Sequence, residues 1–327
     1  SKTWGGSSND VANALAIDRS SNDIYIGGYL ANAAVDYDPG PGTVMIGGGS
    51  GGQGGRDAWI SKFNVSGDLQ WAKNFGSNHH DRIEGMDAAS GNVYATGLFR
   101  GSGGDWDTGS GTIQLGTAGS YDPFTIKLNS SGLTQWAFSV GGSSSTEAGQ
   151  GVTVDAAGNV YTTGWYNGTS DLDSGSETAN FTSYQSNRSD VFLLKHNSAG
   201  VHQWAKVFPS FAHGQGLDVT TDAAGNVYMA GYAPQWMDFD PSAGDASIWV
   251  GSAGGYTAKY TSAGALSTGN APLVANPPAG FQVVHGPVDG VELQGFAAEV
   301  VLASPLCSGG QWQFNHPNNG IAIRHYV

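Results

Sequence analysis

Four tyrosines, Tyr25, Tyr94, Tyr161 and Tyr228, stand 69, 67 and 67 residues apart, each inside a copy of one short string. Gly91-Asn92-Val93-Tyr94-Ala95-Thr96-Gly97 returns at Gly158 to Gly164 and at Gly225 to Gly231, and more loosely as Asn22-Asp23-Ile24-Tyr25-Ile26-Gly27-Gly28. A second string, Ser66-Gly67-Asp68-Leu69-Gln70-Trp71-Ala72, returns as Ser131 to Ala137 and as Ala199 to Ala205, keeping Gln-Trp-Ala. A unit repeated at a fixed period buries its apolar face on its neighbours, so the period restricts the chain to arrays of like modules.

Within a unit, alternating β-favouring segments are divided by turn residues. In the second unit the predicted strands are Arg82 to Ala88, Asn92 to Phe99, Phe124 to Leu128 and Leu133 to Ser139. Asp155-Ala156-Ala157-Gly158-Asn159 supplies an Asp to bond its own turn and a Gly for a left-handed position, and Asn129-Ser130-Ser131-Gly132 does the same between strands three and four. Four antiparallel strands repeated radially is the blade pattern of a β-propeller. The expected fold is an all-β propeller of four such blades, with a fifth element or cap from the C-terminal tail.

The expected organisation is repeats over 1–268, divided 1–72, 73–137, 138–205 and 206–268, then a non-repeating segment 269–327. That segment, which carries the single cysteine, Cys307, is an extra blade, a cap on the last blade or a docking element. The fourth copy has Thr268 where the others have Trp71, Trp136 and Trp204, while Ser1 to Gly6 aligns with Ala72 to Ser77. The N-terminal segment is therefore expected to complete a fourth strand, either of the last blade or of a neighbouring molecule, unless the chain is a piece of a longer repeat protein.

Asp190-Val191-Phe192-Leu193-Leu194-Lys195 through Lys206, together with Asp155 to Gly164, carries a combined pattern. It is D-x-F-x-x-K-x-N-x-x-G-x-x-Q-W-A-K joined to D-A-A-G-N-V-Y-x-T-G. This resembles the bacterial β-propeller (SBBP) repeat family over about residues 1–266. The resemblance implies a propeller and an extracellular or cell-surface location on a bacterium; it brings no catalytic residues with it.

Charge narrows the partners. Thirteen basic against 27 acidic residues leave a net −14, which opposes nucleic acid or an anionic membrane as a main partner. No apolar run approaches a membrane span.

Three residue groups are candidates for chemistry. Each repeat carries an Asp-x-Asp pair: Asp36 and Asp38, Asp105 and Asp107, Asp171 and Asp173, Asp238 and Asp240. In an extended segment both carboxylates share a face, and paired carboxylates before a turn resemble part of a calcium loop. The same spacing also suits turn-capping aspartates, with Tyr37, Trp106, Leu172 and Phe239 as anchors between them. Trp71, Trp136 and Trp204 recur in register and are read as packing between blades. Trp59, Trp165, Trp236 and Trp249 do not recur and are candidate glycan-stacking rings. His79-His80-Asp81 lacks a third ligand at regular spacing and reads as a solvated loop. The leading expectation is a non-enzymatic structural or adhesion protein that self-associates, into a filament or surface layer, through strand or tail exchange. The alternative is a calcium-stabilised module binding glycans or another surface ligand, with an enzyme third.

Overall fold

A computed structural model describes residues 9–31, 34–47, 55–116, 120–142, 146–185, 187–242, 246–250 and 254–267, and the backbone of 273–275. The described residues contain no helix. Their strands form four four-stranded antiparallel sheets and three two-stranded ones.

Each large sheet is an up-and-down meander of one repeat. The first joins Val11–Asp18, Asp23–Ala31, Arg56–Phe63 and Leu69–Phe75. The second joins Asp81–Ala89, Asn92–Phe99, Asp122–Leu128 and Thr134–Ser139, and the third joins Ala148–Val154, Val160–Asn167, Ser189–His196 and His202–Phe208. The fourth uses Gln215–Thr221, Val227–Tyr232, Gly255–Tyr260 and Leu273–Ala275. Its last strand thus lies within the segment set apart as non-repeating, where Gly255, Tyr256 and Thr257 face Ala275, Val274 and Leu273. The proposed strand from Ser1 to Gly6, the tail beyond 275 and Cys307 lie outside the described residues.

The turns form for the reasons the side chains suggest. Asp155 Oδ1 accepts from the Ala157 and Asn159 N–H groups at 2.9 and 2.8 Å, and Asp222 repeats this with Ala224 and Asn226. Asn129 Oδ1 accepts from the Ser131 and Leu133 N–H groups, both at 3.0 Å. Gly132 completes that turn at φ 75°, a conformation that side chains with a Cβ resist.

The sheets stack in series. The first strand of each repeat lies across the face of the sheet before it. Asp81–Ala89 runs along Val11–Asp18, Ala148–Val154 along Asp81–Ala89, and Gln215–Thr221 along Ala148–Val154. The approach is backbone to backbone: a Cβ on Gly85 would come within 2.3 Å of the Gln150 carbonyl oxygen, and one on Gly151 within 2.7 Å of Asp218 Cα. No extensive contact joins the first sheet to the fourth among the described residues. Apolar side chains fill the seams. One core cluster spans the first two sheets, with Tyr25, Ile60, Ile83 and Phe124, and another spans the last two, with Tyr161, Leu193, Val219 and Met229.

A buried histidine sits at the seam between the second and third sheets. The His196 ring stacks on Phe138 with centroids 3.9 Å apart, and its Nε2 lies 2.9 Å from Ser174 Oγ. Burial, and then the neighbouring His202, push its pKa down to about 3. The unfolded chain, with an ordinary histidine, takes up this proton first. The contribution is therefore intact above about pH 6.5 and is lost progressively as pH falls toward 3. By pH 5 the loss amounts to about 2 kcal/mol. Urea unfolding of wild type and His196→Gln at pH 7.5 and pH 5 is expected to show a smaller acid loss in the variant, and an equal loss would exclude this role.

Candidate functional site

Two kinds of position matter: the hairpins that hold the Asp-x-Asp pairs, and the contact by which each repeat grips the next. In three repeats the hairpin is a two-stranded sheet inserted between the second and third large strands: Val35–Asp36 with Met45–Ile46, Thr169–Asp171 with Asn180–Thr182, and Trp236–Asp238 with Ser247–Trp249. In the second repeat the same loop is closed by the Trp106 N–H donating to the Ile113 carbonyl at 2.9 Å.

The first Asp of each pair acts as a turn anchor. Asp36 Oδ1 accepts from the Asp38 and Val44 N–H groups, and Asp105 Oδ1 from those of Asp107 and Ile113. Asp171 does so with Asp173 and Ala179, and Asp238 with Asp240 and Ala246, all eight bonds falling between 2.9 and 3.1 Å. The second Asp caps the following turn: the Oδ1 atoms of Asp38, Asp107, Asp173 and Asp240 accept from Gly40, Gly109, Gly175 and Ser242. The residue between the two is fully buried in every copy, as Tyr37, Trp106, Leu172 and Phe239. The turn-capping reading thus has a bond for each carboxylate. The calcium reading has the pairing alone, since no three His, Cys, Asp or Glu side chains are grouped to hold a metal among the described residues.

The grip between repeats recurs three times. Trp71 Nε1 donates to the Ser130 carbonyl at 2.9 Å, and Lys62 Nζ reaches the same oxygen at 3.4 Å. One repeat on, Trp136 Nε1 and Lys127 Nζ meet the Ser198 carbonyl at 3.2 and 3.4 Å, and Lys195 Nζ meets that of Ser262 at 2.9 Å. The indole lies beneath the glycine of the turn it faces. A Cβ on Gly132 would stand 2.9 Å from Trp71, one on Gly200 2.8 Å from Trp136, and one on Gly264 3.1 Å from Trp204. Behind the indole sits the recurrent tyrosine, with Tyr25–Trp71, Tyr94–Trp136 and Tyr161–Trp204 centroids 5.9, 6.2 and 6.1 Å apart. The lysine rides over that tyrosine, Lys62 at 5.7 Å and Lys127 at 5.3 Å. Aromatic–aromatic and cation–π terms of about 0.5–1.5 kcal/mol each make the assembly a latch.

At the two ends of the series, parts of these faces are covered by no further repeat among the described residues. Lys259 lies 5.2 Å over Tyr228, with no later repeat against it among the described residues. At the other end Gly67 closes its turn at φ 77° as Gly132 and Gly200 do, and Val65 in that turn is 75% exposed. Met86, Val152 and Val219 occupy matched places on the first strands of the later sheets, facing Ala95, Thr162 and Met229. Val152 and Val219 are buried against the preceding sheet, beside Tyr94 and Tyr161. Leu15, at that place in the first sheet, is 60% exposed, and Ile17 beside it is 49% exposed.

The other candidates separate. Trp59 is buried, opposite Gly28, at the register place that Phe124, Phe192 and Tyr256 take opposite Gly97, Gly164 and Gly231. It is therefore a repeat position after all, filled by a different aromatic residue, and not a stacking surface. Trp165 is half-buried; Trp236 is exposed and pairs with Trp249. The His79-His80-Asp81 segment is not simply a solvated loop. Asp81 is buried, bonded to the Ser77 N–H and hydroxyl, and burial pushes its pKa up to about 8.

Compared with known protein families and with curated proteins, the chain matches none.

The hairpin bonds set an expectation for metal removal. Thermal unfolding in excess calcium and in chelator is expected to give the same midpoint. A rise of several degrees with calcium would assign the Asp pairs to an ion.

Proposed function

We propose that this chain is a β-propeller module with a non-enzymatic, structural role at a bacterial cell surface, and that it self-associates head to tail. Support for the propeller comes from four equivalent antiparallel meanders whose first strands lie side by side in series, as blades do around an axis. The surface location rests on the resemblance to the SBBP repeats.

The observation that carries self-association is that each end sheet keeps part of a junction face that no further repeat covers among the described residues. Every internal junction joins an outgoing face (Tyr, Lys and a fourth-strand Trp) to an incoming face (a glycine turn and an apolar first strand). The fourth sheet keeps the Tyr228 and Lys259 part of an outgoing face, and the first sheet keeps the apolar first-strand part of an incoming one, with Leu15 and Ile17 in the open. A second copy of this chain offers each face the chemistry that the internal junctions already use. Such a contact is heterologous, so repetition gives a closed ring or an open filament according to the rotation per step. The association is stacking of sheet faces, and it needs no exchange of a strand or of the tail.

Light scattering coupled to size exclusion, run over a wide concentration series, tests this. The expected result is mass rising in whole-chain steps for the wild type and a monomer for Leu15→Glu with unchanged circular dichroism. A wild-type monomer at every concentration would overturn the proposal.

A further inference from the structure

A repeat protein contains its own control: whatever one copy has and the others lack is not needed to build the copy. The fourth hairpin departs in this way. Trp236 faces Trp249 across the Trp236–Asp238 and Ser247–Trp249 strands, with centroids 5.6 Å apart and planes at 70°. In the third hairpin the matched residues are Thr169 and Thr182, whose hydroxyl oxygens are 2.8 Å apart. Counting from the anchoring aspartates and from the residues that bond their Oδ1 atoms, the first repeat has Ala34 and Gly47 and the second has Gly103 and Gly116. The same hairpin therefore forms with threonine, alanine or glycine at these places.

The tryptophan pair continues into a larger aromatic surface. The Phe211 N–H donates to the Trp236 carbonyl at 2.8 Å, and the Phe211 ring lies 6.4 Å from that of Tyr184. Buried Asp190 sets these two rings from below, accepting the Tyr184 N–H at 2.7 Å and the Ser210 N–H at 2.8 Å. Tyr184, Phe211 and Trp236 are 64%, 46% and 48% exposed, so three large rings on segments joined by these contacts are open to solvent. The backbone beneath them is strained. Gln235, just before Trp236, sits at φ 71°, a left-handed conformation that costs a non-glycine residue about 1 kcal/mol or more. The matched place in the third repeat is Gly168 at φ 67°, so the left-handed turn belongs to the hairpin and the fourth copy fills it with a residue that carries a Cβ.

We propose that Tyr184, Phe211, Trp236 and Trp249 form a binding platform for the pyranose rings of an uncharged polysaccharide. A pyranose presents an apolar C–H face to an aromatic ring and hydroxyls around its edge. The platform matches both, because the polar side chains of Arg188 and His213 are exposed on the same loops. His213 Nδ1 lies 3.4 Å from Ser189 Oγ, which ties those two loops together. The net charge of −14 disfavours polyanionic glycans, and so points to a neutral one.

The experiment is affinity electrophoresis of the whole chain in native gels cast with hydroxyethyl cellulose, xylan, galactomannan or β-1,3-glucan. The wild type is expected to be retarded in at least one gel. Trp236→Ala and Phe211→Ala are expected to weaken that retardation about tenfold or more, Trp236→Tyr to keep most of it, and Met45→Ser, at an exposed place on the first hairpin, to leave it unchanged. Circular dichroism of each variant confirms folding. No retardation in any gel overturns the proposal, as does full retardation of a folded Trp236→Ala. A change in self-association caused by Trp236→Ala instead would overturn it in favour of a protein contact, which makes this outcome separate from the Leu15 result above.

Discussion

Everything in this molecule depends on one contact between repeats. An indole and a lysine ammonium from one sheet converge on a single backbone carbonyl of the next, beneath a glycine that leaves room for the ring. The contact is directional. Its donor side is built on the third and fourth strands and its acceptor side on the turn between them, so a repeat carrying both can be extended at either end. Hydrogen bonds to the neighbour join in: Asp18 accepts from the Gly91 N–H, and Asp87 Oδ2 accepts from the Val154 N–H at 2.9 Å. Successive first strands then approach so closely that glycine is needed at 85 and 151.

This economy explains a composition with 52 glycines and few charges. Polar side chains mostly serve the backbone of turns, as Asp36, Asn129 and Asp155 do, rather than one another. Surface ion pairs are worth little, whereas a satisfied turn fixes register for a whole hairpin. The Asp-x-Asp pairs belong to this scheme. The inner carboxylate closes the hairpin, the outer one caps the next turn, and the large residue between them plugs the hairpin into the core.

Much of this is legible in the sequence. Tyr94, Trp136 and Gly132 recur because every repeat needs them, and recurrence is visible in one chain. The alternation around Trp106 and Phe239 placed them inward correctly. What escaped was partnership across repeats: Trp71 and Gly132 meet although they are 61 residues apart, and a period does not say which copy touches which. Trp59 was misread because register equates it with Phe124 and Phe192, while matching residue names does not. Tyr184 and Phe211 went unnoticed since each is an ordinary loop aromatic, and only Asp190 and the fold bring them together. Subtracting the repeats from one another, position by position, is the signal that finds such residues.

The account stands on the latch, and a double-mutant cycle reaches it directly. Trp136→Ala removes the indole, and Gly200→Ala adds a Cβ 2.8 Å from where that indole lies. Unfolding in urea is expected to show Gly200→Ala costing at least about 1 kcal/mol less in the Trp136→Ala background than in the wild type. What remains there is the strain of the turn at φ 78° alone. Strictly additive losses would mean that the two residues do not meet, and that the repeats are held together in some other way.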